Sequence, residues 1–223
     1  MQNFYIVATP IGNLEDISAR ALSVLAEADL ILCEDTRVTR KLLDRYNIKT
    51  PTQSYHQHSK LSKINQIKDY VRQGKEIALV SDAGTPGISD PGGKLVQELA
   101  LEFNDLKVVP IPGPSAVIAA LSVSGFPADK FVFFGFPPHK KGRQKFWQEI
   151  AAQKNTVVLY ESTHRILKSL EEMRQAIGDR PIIVARELTK KFETIYRGTP
   201  REVISQIAEG SSKGEFVVVI SAI

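Results

Sequence analysis

EIALVSDAGTPGISDPGGKLVQELALE, residues 76–102, decides the fold. Residues 76–80, one glutamate and then four apolar residues, form a short run without polar alternation. Residues 81–93 then hold four glycines, two prolines and two aspartates in 13 positions, and a helix-compatible stretch follows over 93–102. An unbroken apolar run that ends in a Gly/Pro cluster and passes into a helix is a strand covered on both faces, the unit of a parallel α/β sheet.

The same unit recurs outward in both directions. Apolar runs at residues 4–8, 30–33, 107–111, 131–134, 156–160, 182–185 and 215–220 alternate with amphipathic stretches at 14–28, 61–72, 116–123 and 166–176. In the first of these stretches Ile17, Ala21, Leu25 and Ala28 recur at helical spacing. Past Gly125 the alternation changes. FPADKFVFFGFPPHKKGR is dense in proline and aromatics, and the runs at 182–185 and 193–196 read as strands joined by a short turn. The expected architecture is therefore α/β in two domains: an N-terminal domain, 1–114, with a mostly parallel sheet, and a C-terminal domain, 115–223, with a mixed sheet.

Composition narrows the function classes. The 223 residues are 43% hydrophobic and 24% charged, which excludes wholesale disorder and fibrous repeats. Lys and Arg exceed Asp and Glu by 29 to 25, a net +4 that permits a polyanionic partner without demanding one. Cys33 is the single cysteine, so no internal disulfide or multi-cysteine zinc site is expected, and a reducing compartment is. MQNFYIVATP has no basic leader region, and no apolar run reaches the roughly 20 residues that span a bilayer. The expectation is a cytoplasmic protein with no membrane span.

Three loops carry the candidate chemistry, because ligands of open α/β sheets bind beyond the carboxyl ends of strands. TPIGN (9–13) reads as a strand-to-helix turn capped by Asn13 or Asp16, or as a place where Gly12 lets a ligand approach the backbone. SDAGTPGISDPGG (81–93) is longer than the about two to six residues a plain connector needs, which favours a binding loop. It is no phosphate-binding P-loop, since Gly93 stands where Lys is required, and it lacks the dinucleotide fingerprint. Asp82, directly after the strand, is placed to accept from a ligand amine or hydroxyl. In PIPGPSA (110–116), three prolines stiffen the chain and Ser115 opens the next helix, as a cap or as part of a carboxylate site. No metal-binding pattern joins His56, His58, His139 and His164; the first two read as an exposed edge segment. No nucleophile elbow occurs, and Cys33 reads as a buried strand residue.

Taken together, TPIGNLEDIS, CEDTR (33–37), SDAGTPGISDPG, PGPSA, YESTHR (160–165), ARELTK (185–190) and KGE (213–215) resemble the tetrapyrrole methylase superfamily, and within it the ribosomal RNA small subunit methyltransferase I branch. The resemblance runs from Phe4 to Ile220 in one order. It implies two α/β domains with S-adenosylmethionine in the cleft between them, a homodimer, and methylation of the ribose 2′-hydroxyl of cytidine 1402 in 16S rRNA. Members usually continue past KGE into a small helical extension, whereas this sequence stops at Ile223.

Carried over motif by motif, Pro10 and Ile11 would pack on the adenosine. Asp82, Ala83, Gly84 and Thr85 would line the methionine and ribose side, and Ser115 and Ala116 would face the methionine carboxylate. Tyr160, Arg186, Glu187 and Glu215 would close over the adenine. A zwitterionic sulfonium ligand wants backbone donors, a carboxylate and an apolar clamp, which Gly/Pro loops supply.

Such a transfer draws mainly on positioning, but a ribose hydroxyl is a poor nucleophile at neutral pH, so a base or a cation for the forming alkoxide is required. The motifs offer Glu34, Asp35 and Arg37 near one strand end, and Arg186, Glu187 and Lys190 near another. Asp35, Arg37, Glu187 and Lys190 are the catalytic candidates, although Asp35 with Arg37 also reads as an exposed ion pair or helix cap. RNA would meet the basic loop PPHKKGRQK (137–145) through Lys140, Lys141, Arg143 and Lys145, flanked by Phe136, Phe146 and Trp147; the alternative is a solvated charged loop.

Overall fold

The computed structural model describes residues 2–56, 61–90 and 92–223. Two units, Met1–Ser115 and Ala116–Ile223, each carry one five-stranded sheet.

The first unit runs β1 (Asn3–Val7), α1 (Ala19–Glu27), β2 (Leu30–Cys33), α2 (Thr36–Arg45), β3 (Thr52–Ser54), α3 (Leu61–Arg72), β4 (Ile77–Leu79), α4 (Gly93–Glu102) and β5 (Lys107–Ile111). Its strand order is β3-β2-β4-β1-β5, and every pairing is parallel. Successive strand residues point to opposite faces. Ile31, Cys33, Ala78 and Val80 join Ala21, Leu25, Leu42 and Leu43 on the side of α1 and α2. Leu30, Leu32, Ile77 and Leu79 join Ile64, Ile67, Leu95 and Leu99 on the side of α3 and α4. Both faces are buried, and this is why the strands read as unbroken apolar runs. Burying one such side chain stabilises the fold by about 1.5–3 kcal/mol. That exceeds the ~1 kcal/mol span of intrinsic strand preference, so burial rather than propensity sets the sheet.

The second unit runs α5 (Ala116–Ser122), β6 (Phe131–Phe133), α6 (Arg143–Ala151), β7 (Thr156–Ser162), α7 (Ile166–Ile177), β8 (Ile182–Arg186), β9 (Thr194–Gly198), α8 (Pro200–Glu209) and β10 (Glu215–Ile220). Its order is β6-β7-β10-β8-β9. β6 and β7 are parallel, and the other pairs are antiparallel, giving the expected mixed sheet. One face packs on α6, α7 and α8 through Trp147, Leu170 and Ile207; the other packs on α5 through Val117, Ala120 and Leu121.

Several elements differ from the sequence reading. The helix expected over 14–28 starts only at Ala19, where the Ser18 hydroxyl accepts from the Ala21 N–H at 3.1 Å. Leu14–Asp16 is a separate 3-10 turn whose first N–H groups are capped by Asn13. The apolar face lies where the spacing places it: Ile17, Ala21, Leu25 and Ala28 are all buried. The edge strand β3, three residues of TQS, shows no strand pattern in sequence. α8 was also missed, although Thr199 and Glu202 form a capping box with Pro200 just inside the helix.

Candidate active site

β1 and β4 lie side by side, yet the chain leaves β1 for α1 on one face and leaves β4 for α4 on the other. Their divergence is a topological switch point, the place where open α/β sheets bind ligands. Here the first two Gly/Pro loops are stitched together. Thr9 N–H donates to the Gly84 carbonyl at 2.9 Å and Gly84 N–H to the Thr9 carbonyl at 3.0 Å. The Thr9 hydroxyl donates to the Ser81 carbonyl at 3.0 Å. Gly84 has φ +82°, and a Cβ on it would lie 3.4 Å from the Ile11 Cγ2, so only glycine takes this turn without strain. The third loop joins through the Thr85 hydroxyl, which donates to the Pro114 carbonyl at 3.3 Å. Gly113 backs onto Ala8 so closely that a Cβ would sit 3.0 Å from the Ala8 Cβ.

Most of the proposed methionine and ribose side thus meets in one assembly. Pro10 and Gly84 are buried, Ile11, Asp82, Thr85 and Ser115 are half-buried, and Ala83 is exposed. Ala116, half-buried, opens α5.

CEDTR abuts that assembly. Cys33 is fully buried, as read, and burial pushes its thiol above the usual range. Asp35 is the N-cap of α2 and accepts from the Arg37 N–H at 2.8 Å. Its two oxygens also take the Arg37 Nε at 3.0 Å and Nη2 at 2.6 Å. Asp82 in turn accepts from the Asp35 N–H through Oδ1 at 3.0 Å, tying the two motifs. An open cavity of about 400 Å³ is lined by Glu34, Asp35, Arg37, Ser54, His56 and Asp82, among others. His56, read as an exposed edge residue, is exposed and lines this cavity from the end of β3; His58 lies outside the described residues.

The carboxyls here are driven apart. The Arg37 guanidinium and N–H hold Asp35 at about 2. Burial, followed by the negative charge of Asp82, raises Glu34 above the ordinary range. Burial and then Glu34 push Asp90 up to about 6. A base works best near the operating pH; Asp35 lies far below it and serves as a cap and an anchor for Arg37, whereas Glu34 and Asp90 are both shifted toward it. Asp90 was not singled out in sequence, where it is one of many residues in a polar loop.

In the second unit the candidates form another cluster. Lys190 Nζ bonds Glu187 Oε1 at 3.0 Å and Glu215 Oε2 at 2.7 Å, while the Glu215 N–H donates to Glu187 Oε1 at 2.9 Å. Burial works against charge on Glu187 and on Lys190. The Glu215 N–H and Lys190 nevertheless bring Glu187 below its ordinary value, and Glu215 and Glu187 raise Lys190. Glu187 and Thr189 both sit at positive φ, 53° and 64°, so the β8–β9 turn is held in a conformation non-glycine residues rarely take. Arg186, expected over the adenine, has its guanidinium engaged in the fold: it donates to the Lys213 carbonyl at 2.6 Å, the Phe192 carbonyl at 3.1 Å and the Ser211 hydroxyl at 3.3 Å. Tyr160, half-buried on β7, meets Phe133 edge to face and Phe136 at a tilt.

The basic loop divides. Lys140, Lys141 and Lys145 are exposed, and no ion pair among the described residues holds them. Arg143 corrects the sequence reading. It is only 8% exposed, and it pairs with Glu172 at 2.5 Å while stacking on Trp147. It belongs to the interior and not to the exposed basic set. Trp147 is likewise core, with Nε1 donating to Glu172 at 2.8 Å, so Phe136 is the exposed aromatic of the three.

No described helix is long and apolar enough to cross a membrane. A family model of tetrapyrrole (corrin/porphyrin) methylases matches residues 3–204. A Thermotoga maritima protein named ribosomal RNA small subunit methyltransferase I is 44% identical over 221 residues, covering 99% of both chains. A Vibrio cholerae protein of the same name is 51% identical over 220 residues, 97% of this chain and 76% of that one. Among solved structures, a cobalt precorrin-4 methyltransferase of cobalamin biosynthesis superposes with a TM-score of 0.74 at 20% identity, covering 98% of this chain and 94% of its own. A uroporphyrin-III C-methyltransferase from Thermus thermophilus, complexed with S-adenosyl homocysteine, gives 0.65 at 17% identity, covering 99% and 97%. At these identities the likeness of the solved structures is one of fold.

Proposed function

The chain belongs to the tetrapyrrole methylase family, and we propose that it is the S-adenosylmethionine-dependent enzyme that methylates the ribose 2′-hydroxyl of cytidine 1402 in 16S rRNA. It would act on the small ribosomal subunit in the cytoplasm, as a homodimer. What carries this reading is the 44% and 51% identity to relatives named ribosomal RNA small subunit methyltransferase I.

The residues at the switch point fit the cofactor. Asp82 keeps an acceptor oxygen beyond its bond to the Asp35 N–H, which suits an amine. The stitched Gly/Pro backbone, packed on Ile11 at Gly84 and on Ala8 at Gly113, holds the three loops in one fixed arrangement for the ligand. Pro10 and Ile11 offer an apolar face. In the second unit the candidate adenine contacts are Tyr160, Glu187 and Glu215. S-adenosylmethionine, when bound, supplies an electrophilic methyl group on a sulfonium.

The chain's own residues then have two tasks. One is to hold the reactants, since positioning supplies most of the acceleration. The other is to take the hydroxyl proton, a role we assign to Glu34, with Arg37 presented beside it, 87% exposed and braced by Asp35, to favour the forming alkoxide. Lys140, Lys141 and Lys145 would meet RNA phosphates.

Asp82→Ala tests the cofactor site. Loss of a charge-assisted hydrogen bond, about 1.5–3 kcal/mol, should raise the dissociation constant for S-adenosyl homocysteine roughly 10–100-fold in calorimetry. Unaltered affinity would remove Asp82 from the pocket.

A further inference from the structure

Beneath the basic loop lies a set of buried and half-buried polar side chains that the methyl-transfer chemistry does not use. Arg165 Nη1 donates to the Pro137 carbonyl at 3.0 Å, and its Nη2 bonds Glu161 Oε1 at 2.9 Å. The other Glu161 oxygen accepts from the Ser169 hydroxyl at 2.5 Å. That hydroxyl oxygen accepts from Arg143 Nη2 at 2.9 Å, and Arg143 Nη1 donates to the Pro138 carbonyl at 2.9 Å. Through the Pro137–Pro138 peptide the ring closes. The two arginines donate both to the proline carbonyls and inward to Glu161 and Ser169, Glu161 accepts from both sides, and its side chain is 0% exposed.

Two features set this ring apart from ordinary packing. First, prolines carry no N–H, so Pro137 and Pro138 cannot join a ladder through donors, yet both of their carbonyls are gripped by arginines from elsewhere in the fold. Second, the network spends two arginines, with Glu161 and Glu172, on one short segment. Buried ion pairs seldom add stability over well-packed apolar residues, so position is the better account of them. What is positioned follows at once in the chain: Lys140 and Lys141, both exposed and outside any ion pair among the described residues.

We infer that Arg165, Glu161, Ser169 and Arg143 are positioning residues that fix the backbone from which Lys140 and Lys141 are offered to RNA phosphates. This rests on the RNA reading of the loop. A loop already ordered in the free protein pays less conformational entropy when a polyanion binds, so the ring raises affinity without touching RNA.

A double-mutant cycle tests it, with purified small ribosomal subunits as the probe. Ser169→Ala opens the ring and should raise the dissociation constant about tenfold. In a Lys140→Ala, Lys141→Ala background the same change should add nothing, and affinity for S-adenosyl homocysteine should stay at its native value throughout. If Ser169→Ala does not fold, Arg165→Lys carries the same cycle, because a lysine lacks the forked pair of Nη groups that spans Glu161 and Pro137. An equal factor in both backgrounds, or no effect in either, overturns the positioning role. If the two-lysine variant alone binds subunits as the native protein does, the RNA reading of the loop falls and the inference falls with it. The lysine arm therefore tells the two failures apart.

Discussion

Glu34→Gln lowers the rate of methyl transfer by about 10²–10⁴-fold, the usual worth of a general base, and leaves the affinity for S-adenosyl homocysteine unchanged. The direction of the Glu34 shift adds a pH signature. Burial and the charge of Asp82 raise its pKa in the folded protein, and only the deprotonated carboxylate accepts a proton. The native rate should therefore fall as pH drops through that raised pKa, above the range of an ordinary glutamate, and the Gln variant should lose this limb. Asp35→Asn should not mimic it, because Asp35 is held at about 2 and is already ionised across the working range. A Glu34→Gln enzyme within threefold of the native rate, with the acid limb intact, would transfer the base to another residue. Single-turnover kinetics from pH 5 to 9 decide the matter.

Glu161→Ala should strongly destabilise the second unit. The carboxylate accepts from Arg165, from the Ser169 hydroxyl and from the Ser162 N–H at 2.8 Å. Its removal strands the Arg165 guanidinium, 17% exposed, with its main counter-charge gone. Breaking a buried pair from one side costs about 3–5 kcal/mol, which corresponds to a fall of roughly 10 °C in Tm for a chain of this size. Glu161→Gln retains acceptor capacity and should fall between the two. A thermal scan followed by circular dichroism that shows less than about 1 kcal/mol for the alanine variant would mean that the pair is solvated and carries little.

The sheets were legible because of their burial. Leu30 to Cys33 alternate between two buried faces, so the run is apolar throughout and announces a parallel strand. β3 was illegible for the opposite reason. An edge strand of Thr, Gln and Ser needs only one neighbour, Ile31 to Cys33, and carries no pattern of its own. The three Gly/Pro loops could be singled out by composition, but the Thr9–Gly84 stitch that unites the first two depends on β1 and β4 being neighbours, which no local window reveals. Arg143 shows the limit most clearly. In sequence it is one cation of four; in the fold its charge is answered by Glu172, 29 positions away, and it faces inward. Asp90 escaped for a similar reason, since its raised pKa depends on burial and on Glu34, which lies on a different strand end.

The most direct test is a map of ribose methylation in 16S rRNA from cells with and without the gene, followed by treatment of the deletion strain's small subunits with purified protein and labelled S-adenosylmethionine. The 2′-O-methyl group at cytidine 1402 should be missing from the deletion strain and restored by the native protein. A modification that persists unchanged in the deletion strain, or label that enters a tetrapyrrole and not the subunit, would contradict the proposed function.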